Sequence, residues 1–250
     1  MLKIENTEVV GWEAAIRGMR NPMNSWEKSD SGFGCIFDDE LVRCSNCCLV
    51  GPACDDHVGR AIFNIGPNDY KLMTALRNSG TDHRKFMRMI TVYLDITAPL
   101  YWWKEFDTYK VGTVANSCST MHKITEKVFT LDDFSHEHLT IRQSTVVLKE
   151  TVDALNVFRD VYSNGGILRH ENGNMRCFGK KNKEVWWQMI QLLPSSYNQR
   201  RTVMLNYEVL ANIYKSRKDH KLDEWHTFCD WIRSLPYSEL ITGEEKNESL

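Results

Sequence analysis

The chain has 250 residues, of which 42% are hydrophobic and 26% are charged, proportions typical of a soluble globular protein. Its net charge of −2 excludes the overall basic character of many nucleic-acid-binding proteins. No stretch approaches the ~20 apolar residues of a membrane span, and the N-terminus has no signal-peptide pattern. We therefore predict a cytoplasmic protein with no membrane partner and no evident double-stranded nucleic-acid partner.

The N-terminal part of the chain shows helical, irregular and strand-like segments in turn. Apolar residues at helical spacing predict helices, and a run of β-branched and other apolar residues predicts a strand. On this basis we expect helices over Trp12–Arg20 and Asn68–Asn78, an irregular region over Pro22–Gly66, and a strand over Phe86–Ile96.

An aromatic segment follows the predicted strand. Its first part predicts a helix over Leu100–Lys110, and its polar second part predicts a loop over Val114–His122. The adjacent residues Trp102 and Trp103 cannot face the same side of a helix. We therefore expect one of the two indoles to face a cavity or a subunit interface.

The C-terminal part is predicted to be mainly helical, which makes the fold class α+β with a central antiparallel or mixed sheet. The expected helices are Asp132–Ser163, Glu184–Leu193, Arg200–Lys218 and Leu222–Leu235. A Gly/Asn-rich connection over Ile167–Lys181 is either mobile or a hairpin. We predict a single domain over residues 1–241, with a Cys-rich insert around 35–57 and a flexible acidic tail over 242–250.

Five of the eight cysteines lie in the predicted insert, and four zinc-type ligands occur there at close spacing. Cys44-x-x-Cys47 is followed by Cys54-x-x-His57, and paired thiolate and imidazole ligands suit tetrahedral zinc. Structural zinc sites usually have a longer loop between the two pairs. The segment is therefore either a zinc site or a Cys-rich loop with free thiols.

A basic run lies at the start of the predicted strand. His83-Arg84-Lys85 and Arg88 either meet a phosphate or carry ordinary strand-edge charge.

Two blocks of residues resemble the flavin-dependent thymidylate synthases, also called thymidylate synthase complementing proteins. That family has an Arg-His-Arg triplet at a helix end, followed by a Ser, an Asn-Glu pair, a Ser and an Arg. The matching positions here, with one extra residue in the loop, are Thr108-Tyr109-Lys110, Thr113, Asn116-Ser117, Ser119 and Met121.

The second block follows Leu193-Pro194, where the family has a helix that contacts flavin and nucleotide. The positions at matching spacing are Asn206, Glu208, Asn212 and Arg217. A family Gln, three residues before the triplet, contacts the nucleotide, and Glu105 stands at its position. The two blocks occur in family order, and the resemblance covers Asn68–Leu235 but not the Cys-rich insert.

The resemblance implies a flavin-dependent thymidylate synthase-like fold, an FAD cofactor, and methyl or one-carbon transfer to dUMP or a related pyrimidine nucleotide. In the family NADPH reduces the flavin, a folate supplies the methylene group, and the protein is a homotetramer. The implied cofactor-binding residues are Tyr109, Lys110, Asn116, Asn206 and Asn212. The implied substrate-binding residues are Glu105, Thr108, Ser117, Ser119 and Arg217. No catalytic residue is assigned.

The chain departs from the family at several charged positions. Thr108, Tyr109 and Met121 stand where the family has Arg, His and Arg, and an Arg before the Leu-Pro falls near Ile190. Each charge-assisted hydrogen bond contributes about 1.5–3 kcal/mol, so losing two or three weakens phosphate binding by roughly 10³-fold or more.

Three functions are consistent with these residues. The first is a divergent flavin-binding enzyme, in which Glu105 pairs with an exocyclic amine and favours a cytosine-like ring over uracil. The second is an inactive protein that keeps the fold and binds a nucleotide or a protein partner. The third is a zinc-stabilised interaction module built on Cys44, Cys47, Cys54 and His57.

Overall fold

The structure is a computed structural model that describes residues 2–37, 40–42 and 62–244. In chain order its strands and helices are β1 (Lys3–Val10), α1 (Trp12–Arg20), β2 (Gly32–Phe37), β3 (Glu40–Val42), β4 (Ile62–Asn64), α2 (Pro67–Asn78), β5 (Thr91–Pro99), α3 (Leu100–Phe106), β6 (Val114–Ser117), α4 (Thr120–Lys123), α5 (Arg142–Asn164), β7 (Gly166–Arg169), β8 (Met175–Phe178), α6 (Lys183–Leu192), β9 (Asn198–Asn206), α7 (Tyr207–Arg217), α8 (Asp223–Ser234) and α9 (Glu239–Thr242).

A four-stranded antiparallel sheet with the order β1-β5-β9-β6 forms the centre of the fold. One face of β5 and of the second half of β9 is apolar and packs against the helices. Its buried residues are Val92, Leu94, Ile96, Ala98, Val203 and Leu205. This alternation is the pattern of a sheet with one packed face. The predicted α+β class, with helices around an antiparallel sheet, is confirmed.

The second face of the sheet carries both polar and apolar side chains and is open in the single chain. Tyr93 and Val114 are 42% and 60% exposed there. Asp95 accepts hydrogen bonds from Asn6, Arg200 and Thr202 at 2.6–2.8 Å. Hydrogen bonds from Thr202 and then from Arg200 and Asn6 hold the pKa of the Asp95 carboxyl well below its usual range. These bonds link β1, β5 and β9 across the open face.

The two adjacent tryptophans of α3 are both buried, on different sides of the helix. Trp102 packs against Trp225 and Phe228 of α8, with ring centroids 4.8 and 5.7 Å away. Trp103 faces β9 and donates its indole hydrogen to the carbonyl of Gln199 at 2.9 Å. The expectation that one indole faces a cavity or a subunit interface is therefore wrong, because α8 and β9 each cover one of them.

A second hydrophobic cluster lies between α5 and α6. Leu155 and Met189 are fully buried in it, together with Phe129 and Phe134 from the segment before α5. The amide of Asn156 exchanges two hydrogen bonds with the backbone of Phe129, at 2.8 and 2.9 Å. None of the helices in the described ranges is both long and apolar enough to cross a membrane.

A buried ion pair fixes the loop after α1 against α2. Asp69 accepts the Nε hydrogen of Arg20 at 2.6 Å and the hydroxyls of Ser29 and Ser31 at 2.7 and 2.6 Å. Burial raises the pKa of Asp69, but the hydrogen bonds from Ser31, Ser29 and Arg20 outweigh it and hold the pKa below its usual value. The loop backbone also donates to this carboxylate, through Asp30 and Ser31 at 3.1 Å.

The predicted helix over Arg200–Lys218 is wrong in its first part. Residues 198–206 form β9, and the helix begins only at Tyr207. The segment alternates apolar and polar residues through Val203 and Leu205, and pairing with β5 and β6 satisfies its backbone. Tertiary pairing thus overrides the helical interpretation.

Other segments also differ from the sequence-based prediction. The region over 22–66, expected to be irregular, contains β2, β3 and β4, which pair with one another. Residues 84–88 form a 3-10 helix, so the strand begins at Thr91. The helix predicted to reach Lys110 ends at Phe106, and the predicted loop after it contains β6 and α4. The long helix predicted from Asp132 begins at Arg142. The connection over 167–181 is a hairpin, formed by β7 and β8.

We predict that Asp69→Asn lowers the free energy of unfolding at pH 7 by about 3 kcal/mol, because it leaves the buried guanidinium of Arg20 without its counter-charge. The folded-state pKa of Asp69 is lowered, so its stabilising effect is present above the unfolded pKa and is lost as the pH falls through the folded value. The check is urea unfolding of the variant at pH 7. Glu150→Gln on the exposed face of α5 is the control, and an equal loss in both variants would contradict the prediction.

Candidate functional site

An ion pair joins the end of α3 to the end of α7. A terminal nitrogen of Arg217 lies 2.7 Å from Oε2 of Glu105. The Nε hydrogen of Arg217 is donated to the Tyr109 hydroxyl at 2.9 Å, and its guanidinium stacks over the Trp225 ring at 4.7 Å. Carboxylate, phenol and indole therefore hold this guanidinium in one orientation.

The same carboxylate oxygen of Glu105 meets two further groups. The indole hydrogen of Trp225 is donated to Oε2 at 2.9 Å, and Nε2 of His220 lies 3.3 Å from it. The side chains of Glu105 and Arg217 are 34% and 17% exposed, so solvent reaches the pair. No described residue makes a hydrogen bond to the other oxygen, Oε1, which leaves one acceptor for a ligand. We define Glu105, Tyr109, Arg217, His220 and Trp225 as the carboxylate–arginine cluster.

Arg201 of β9 contacts the end of α3, beside this cluster. Its guanidinium lies 2.7 Å from Asp107 and 4.1 Å over the Trp103 ring. It also donates to the Gln199 side chain at 3.0 Å, and that amide in turn donates to the Thr120 hydroxyl at 3.0 Å. These contacts fix β9, α3 and the start of α4 relative to one another.

The polar residues of β6 point to opposite faces of the sheet. Asn116 is paired with Thr202 and lies on the open face, whereas Ser117 is paired with Arg201 and lies on the helix-bearing face. Both residues are exposed. Asn116, predicted to bind the cofactor, and Ser117, predicted to bind the substrate, thus lie on different faces of the sheet.

Asn206 ends β9 and begins α7. Its side-chain oxygen accepts the backbone hydrogen of Val209 at 3.0 Å, as an N-cap does. Its amide nitrogen faces Gly112, whose φ is +77° and where a Cβ atom would come within 3.0 Å of that nitrogen. By the alternation of β9, Asn206 lies on the same open face as Asn116.

Asn212 lies in a third group, on the outer surface of α7. Its side-chain oxygen accepts a hydrogen bond from Arg84 at 3.3 Å. Arg84 and Arg88 both bind Glu208, which is 7% exposed. Burial raises the pKa of Glu208, but the hydrogen bonds and charges of Arg88 and Arg84 outweigh it and lower the pKa.

The remaining predicted substrate residues lie around the end of α3 and the start of α4. The Thr108 hydroxyl donates to the carbonyl of Glu105 at 2.7 Å. Ser119 is the N-cap of α4 and accepts the backbone hydrogen of His122 at 3.3 Å. Lys110 is exposed, and no side-chain partner of it is found in the described part of the chain. The structure therefore brings Glu105, Thr108, Tyr109 and Arg217 together. The three asparagines lie away from this group: Asn116 and Asn206 on the open sheet face, and Asn212 on the outer surface of α7.

The four candidate zinc ligands, Cys44, Cys47, Cys54 and His57, lie outside the described residues. Zinc binding by them stays a prediction. Within residues 2–37, 40–42 and 62–244, no group of three or more His, Cys, Asp or Glu residues is placed to hold a metal ion.

Sequence reasoning missed two members of the carboxylate–arginine cluster. His220 follows Arg217 by three residues, beyond the end of α7, and Trp225 lies on α8. His220 shares no helix or strand with Glu105. The i, i+3 rule for helical neighbours does not apply to Arg217 and His220, because α7 ends at Arg217, so no local signal indicated that they act together.

The comparisons with known proteins concern the whole fold. No protein-family model matches the chain, and no curated protein matches it by sequence. Its structure is similar to that of the flavin-dependent thymidylate synthase ThyX from Helicobacter pylori complexed with FAD and dUMP. In two solved structures of that enzyme the identity is 14%, the TM-scores are 0.59 and 0.57, and the match covers 96% and 97% of this chain and 98% of that chain in both cases.

The chain has the fold of the flavin-dependent thymidylate synthases. A UMP/dUMP methylase, PolB from Streptomyces cacaoi bound with 5-Br dUMP, shows the same likeness. Its TM-score is 0.54 at 11% identity, over 97% of this chain and 94% of that chain. The likeness at these identities supports a divergent ThyX-like fold, as the two residue blocks predict.

We predict a measurable coupling between Glu105 and Arg217. In a double-mutant cycle with Glu105→Gln and Arg217→Gln, the interaction free energy is expected to be about 1 kcal/mol, because the pair is partly shielded and its guanidinium is held by stacking. The matched control is the exposed pair Glu13–Arg17, which is 2.8 Å long and for which we expect about 0.3–0.5 kcal/mol. Urea unfolding of the wild type and the six variants gives both values, and equal coupling in the two pairs would refute the prediction.

Proposed function

We propose that this protein is a divergent flavin-binding enzyme that modifies a pyrimidine nucleotide, by methyl or one-carbon transfer to dUMP or a related nucleotide. The observation that carries the proposal is the likeness of nearly the whole chain to structures that hold FAD and dUMP. The carboxylate–arginine cluster supports it, because it presents acceptor and cationic groups at one solvent-accessible place.

The residues proposed for FAD have hydrogen-bonding groups to offer. Asn116 and Asn206 lie on the same open sheet face, and the cap interaction of Asn206 uses its oxygen and leaves its amide hydrogens. An amide supplies both donor and acceptor, which suits the edge of an isoalloxazine or adenine ring. Lys110, Tyr109 and Asn212 complete the proposed set. A bound flavin supplies the redox chemistry, while NADPH and a folate belong to the same proposal as reductant and one-carbon donor.

The substrate is proposed to bind at Glu105, Thr108, Ser117, Ser119 and Arg217. The free acceptor Oε1 of Glu105 suits an exocyclic amine, which a cytosine ring has and a uracil ring lacks. Arg217, Trp225 and His220 contact the other oxygen, Oε2, and hold the carboxylate in place. Glu105 thus recognises the base, with the hydroxyls of Thr108, Ser117 and Ser119 orienting the rest of the ligand.

A specific observation favours a second function, binding without turnover. Arg217 is already neutralised by Glu105 at 2.7 Å, so a phosphate dianion must compete with a carboxylate for that guanidinium. The protein would then hold a nucleotide or a protein partner in the same fold and catalyse nothing.

A homo-oligomer, and a tetramer as in the flavin-dependent thymidylate synthases, is part of the proposal. The open face with Tyr93 and Val114 supports it, since a second copy would cover these side chains.

Flavin binding is the first test of the enzyme proposal. Purified protein incubated with FAD and freed of excess is expected to retain a flavin absorption spectrum. Asn116→Ala is expected to weaken FAD binding by about tenfold, because it removes one hydrogen-bonding amide. The control is Gln143→Ala, which removes an exposed side-chain amide from α5. The absence of a flavin spectrum would leave binding without turnover as the function.

We also predict that Glu105→Gln shifts the preference of the protein from cytosine towards uracil nucleotides. The neutral amide can donate to a uracil carbonyl, whereas the carboxylate only accepts. The check is calorimetric titration of wild type and variant with dCMP and dUMP. Glu171→Gln in the β7–β8 turn is the control. An unchanged ratio of the two affinities would exclude Glu105 as the base-reading residue.

A further inference from the structure

A cationic pocket of about 200 Å³ lies on the opposite end of α7 from the N-cap Asn206. It opens between the last turn of α2, the 3-10 helix at 84–88, the second half of α7, and the end of α9. Its polar lining residues are Arg77, Arg84, Asn212, Tyr214, Lys215, Lys218 and Thr242.

The pocket carries four positive side chains and no acidic one among the residues that line it. In the described part of the chain, no carboxylate lies within ion-pair distance of Arg77, Lys215 or Lys218. Arg84 does have a carboxylate, Glu208, but shares it with Arg88. The pocket therefore holds an excess of positive charge.

The guanidinium of Arg77 is fixed on one wall. It donates to the backbone carbonyls of Leu240 and Ile241 at 3.3 and 3.4 Å and to the side chain of Asn78 at 2.9 Å. Gly243 lies directly against it, with φ at +74°, and a Cβ there would come within 2.2 Å of a terminal nitrogen. The positive φ favours glycine at this position, and the missing side chain lets the backbone after α9 lie against the guanidinium.

This arrangement is electrostatically unfavourable without a ligand. Arg77 and Arg84 line the same pocket. Burial and then the charge of Arg84 lower the pKa of Arg77, as expected for two cations in a partly shielded place. Neutral carbonyls compensate for a full positive charge only in part. An anion in the pocket would relieve the repulsion between the cations.

We infer that the pocket binds phosphate groups, as inorganic diphosphate or as the diphosphate of a larger molecule. Arginine forks and lysine ammonium groups are the usual partners of phosphate oxygens. Pockets that enclose whole small-molecule ligands usually exceed about 300 Å³, so this smaller one suits a phosphate moiety alone. Arg84 belongs to the basic run for which the sequence allowed two roles, contact with a phosphate or ordinary strand-edge charge.

The inference does not depend on the proposed flavin chemistry, although the two sites share Asn212. None of Arg77, Lys215 and Lys218 belongs to the residues predicted for cofactor or substrate. The phosphate source can be a free diphosphate or the diphosphate of FAD, since both present the same oxygens.

The experiment is calorimetric titration of the full chain with sodium diphosphate at low salt. Wild type is expected to bind, with an affinity that falls as NaCl is added. The double variant Lys215→Gln, Lys218→Gln is expected to bind at least about tenfold more weakly, because it removes two charge-assisted contacts. Both lysines are exposed, so the variant keeps its core.

The matched control is the double variant Lys149→Gln, Lys180→Gln, which removes the same charge from exposed positions elsewhere. Thermal unfolding checks that all three proteins are folded. Absence of diphosphate binding by wild type, or equal weakening in both double variants, would overturn the inference.

Competition with FAD then separates the two sources. If FAD displaces diphosphate and the Lys215→Gln, Lys218→Gln variant also loses FAD affinity, the pocket holds the diphosphate of the flavin. If diphosphate binds but FAD neither binds nor competes, the phosphate pocket stands and the flavin proposal fails.

Discussion

The pairing of β5 with β9 is the interaction on which the rest of the structure depends. Nine residues of each strand are paired in one register, from Thr91 opposite Asn206 to Pro99 opposite Asn198. A shift by one residue would turn every side chain to the other face. The register therefore decides that Arg201 faces Trp103 and that Asn206 lies on the open face where α7 begins. α3 and α7 extend from these two strands, and their far ends bring Glu105 and Arg217 together.

Charge neutralisation inside the fold determines which cations remain for ligands. Arg217 is paired with Glu105, Arg201 with Asp107, and Arg200 with Asp95. These three arginines are thus already engaged by carboxylates of this chain. They offer no free positive charge to replace the family arginines that the chain lacks. The group formed by Arg77, Lys215 and Lys218 differs, because no described carboxylate compensates it. Among the described residues, this group of cations beside α7 is therefore free for an anionic ligand, away from the carboxylate–arginine cluster.

The sequence predicted what local pattern controls. α1, α2, α6 and α8 were predicted close to their bounds, because each has an apolar stripe and its own start or stop signal. The α+β class followed in the same way, whereas the connection over 167–181 was left open between a mobile segment and the hairpin that the structure shows. β9 was mistaken for the start of a helix. Its alternation of apolar and polar residues is short, and it continues without a break into the apolar residues of α7. β6 escaped prediction because a strand of only four residues, Val-Ala-Asn-Ser, is too short to show a clear alternation.

The sequence by itself determined the residue types at the candidate site and their order along the chain. Glu105, Tyr109 and Arg217 were named from two ordered blocks, and the loss of the family arginines was visible without coordinates. Only the tertiary structure decided that Glu105 and Arg217 neutralise each other, and that His220 and Trp225 join them. It also separated Asn116 from Ser117 and exposed the cationic pocket. The physical reason is that contacts between residues more than a hundred positions apart follow from strand register and helix packing, which no local spacing encodes.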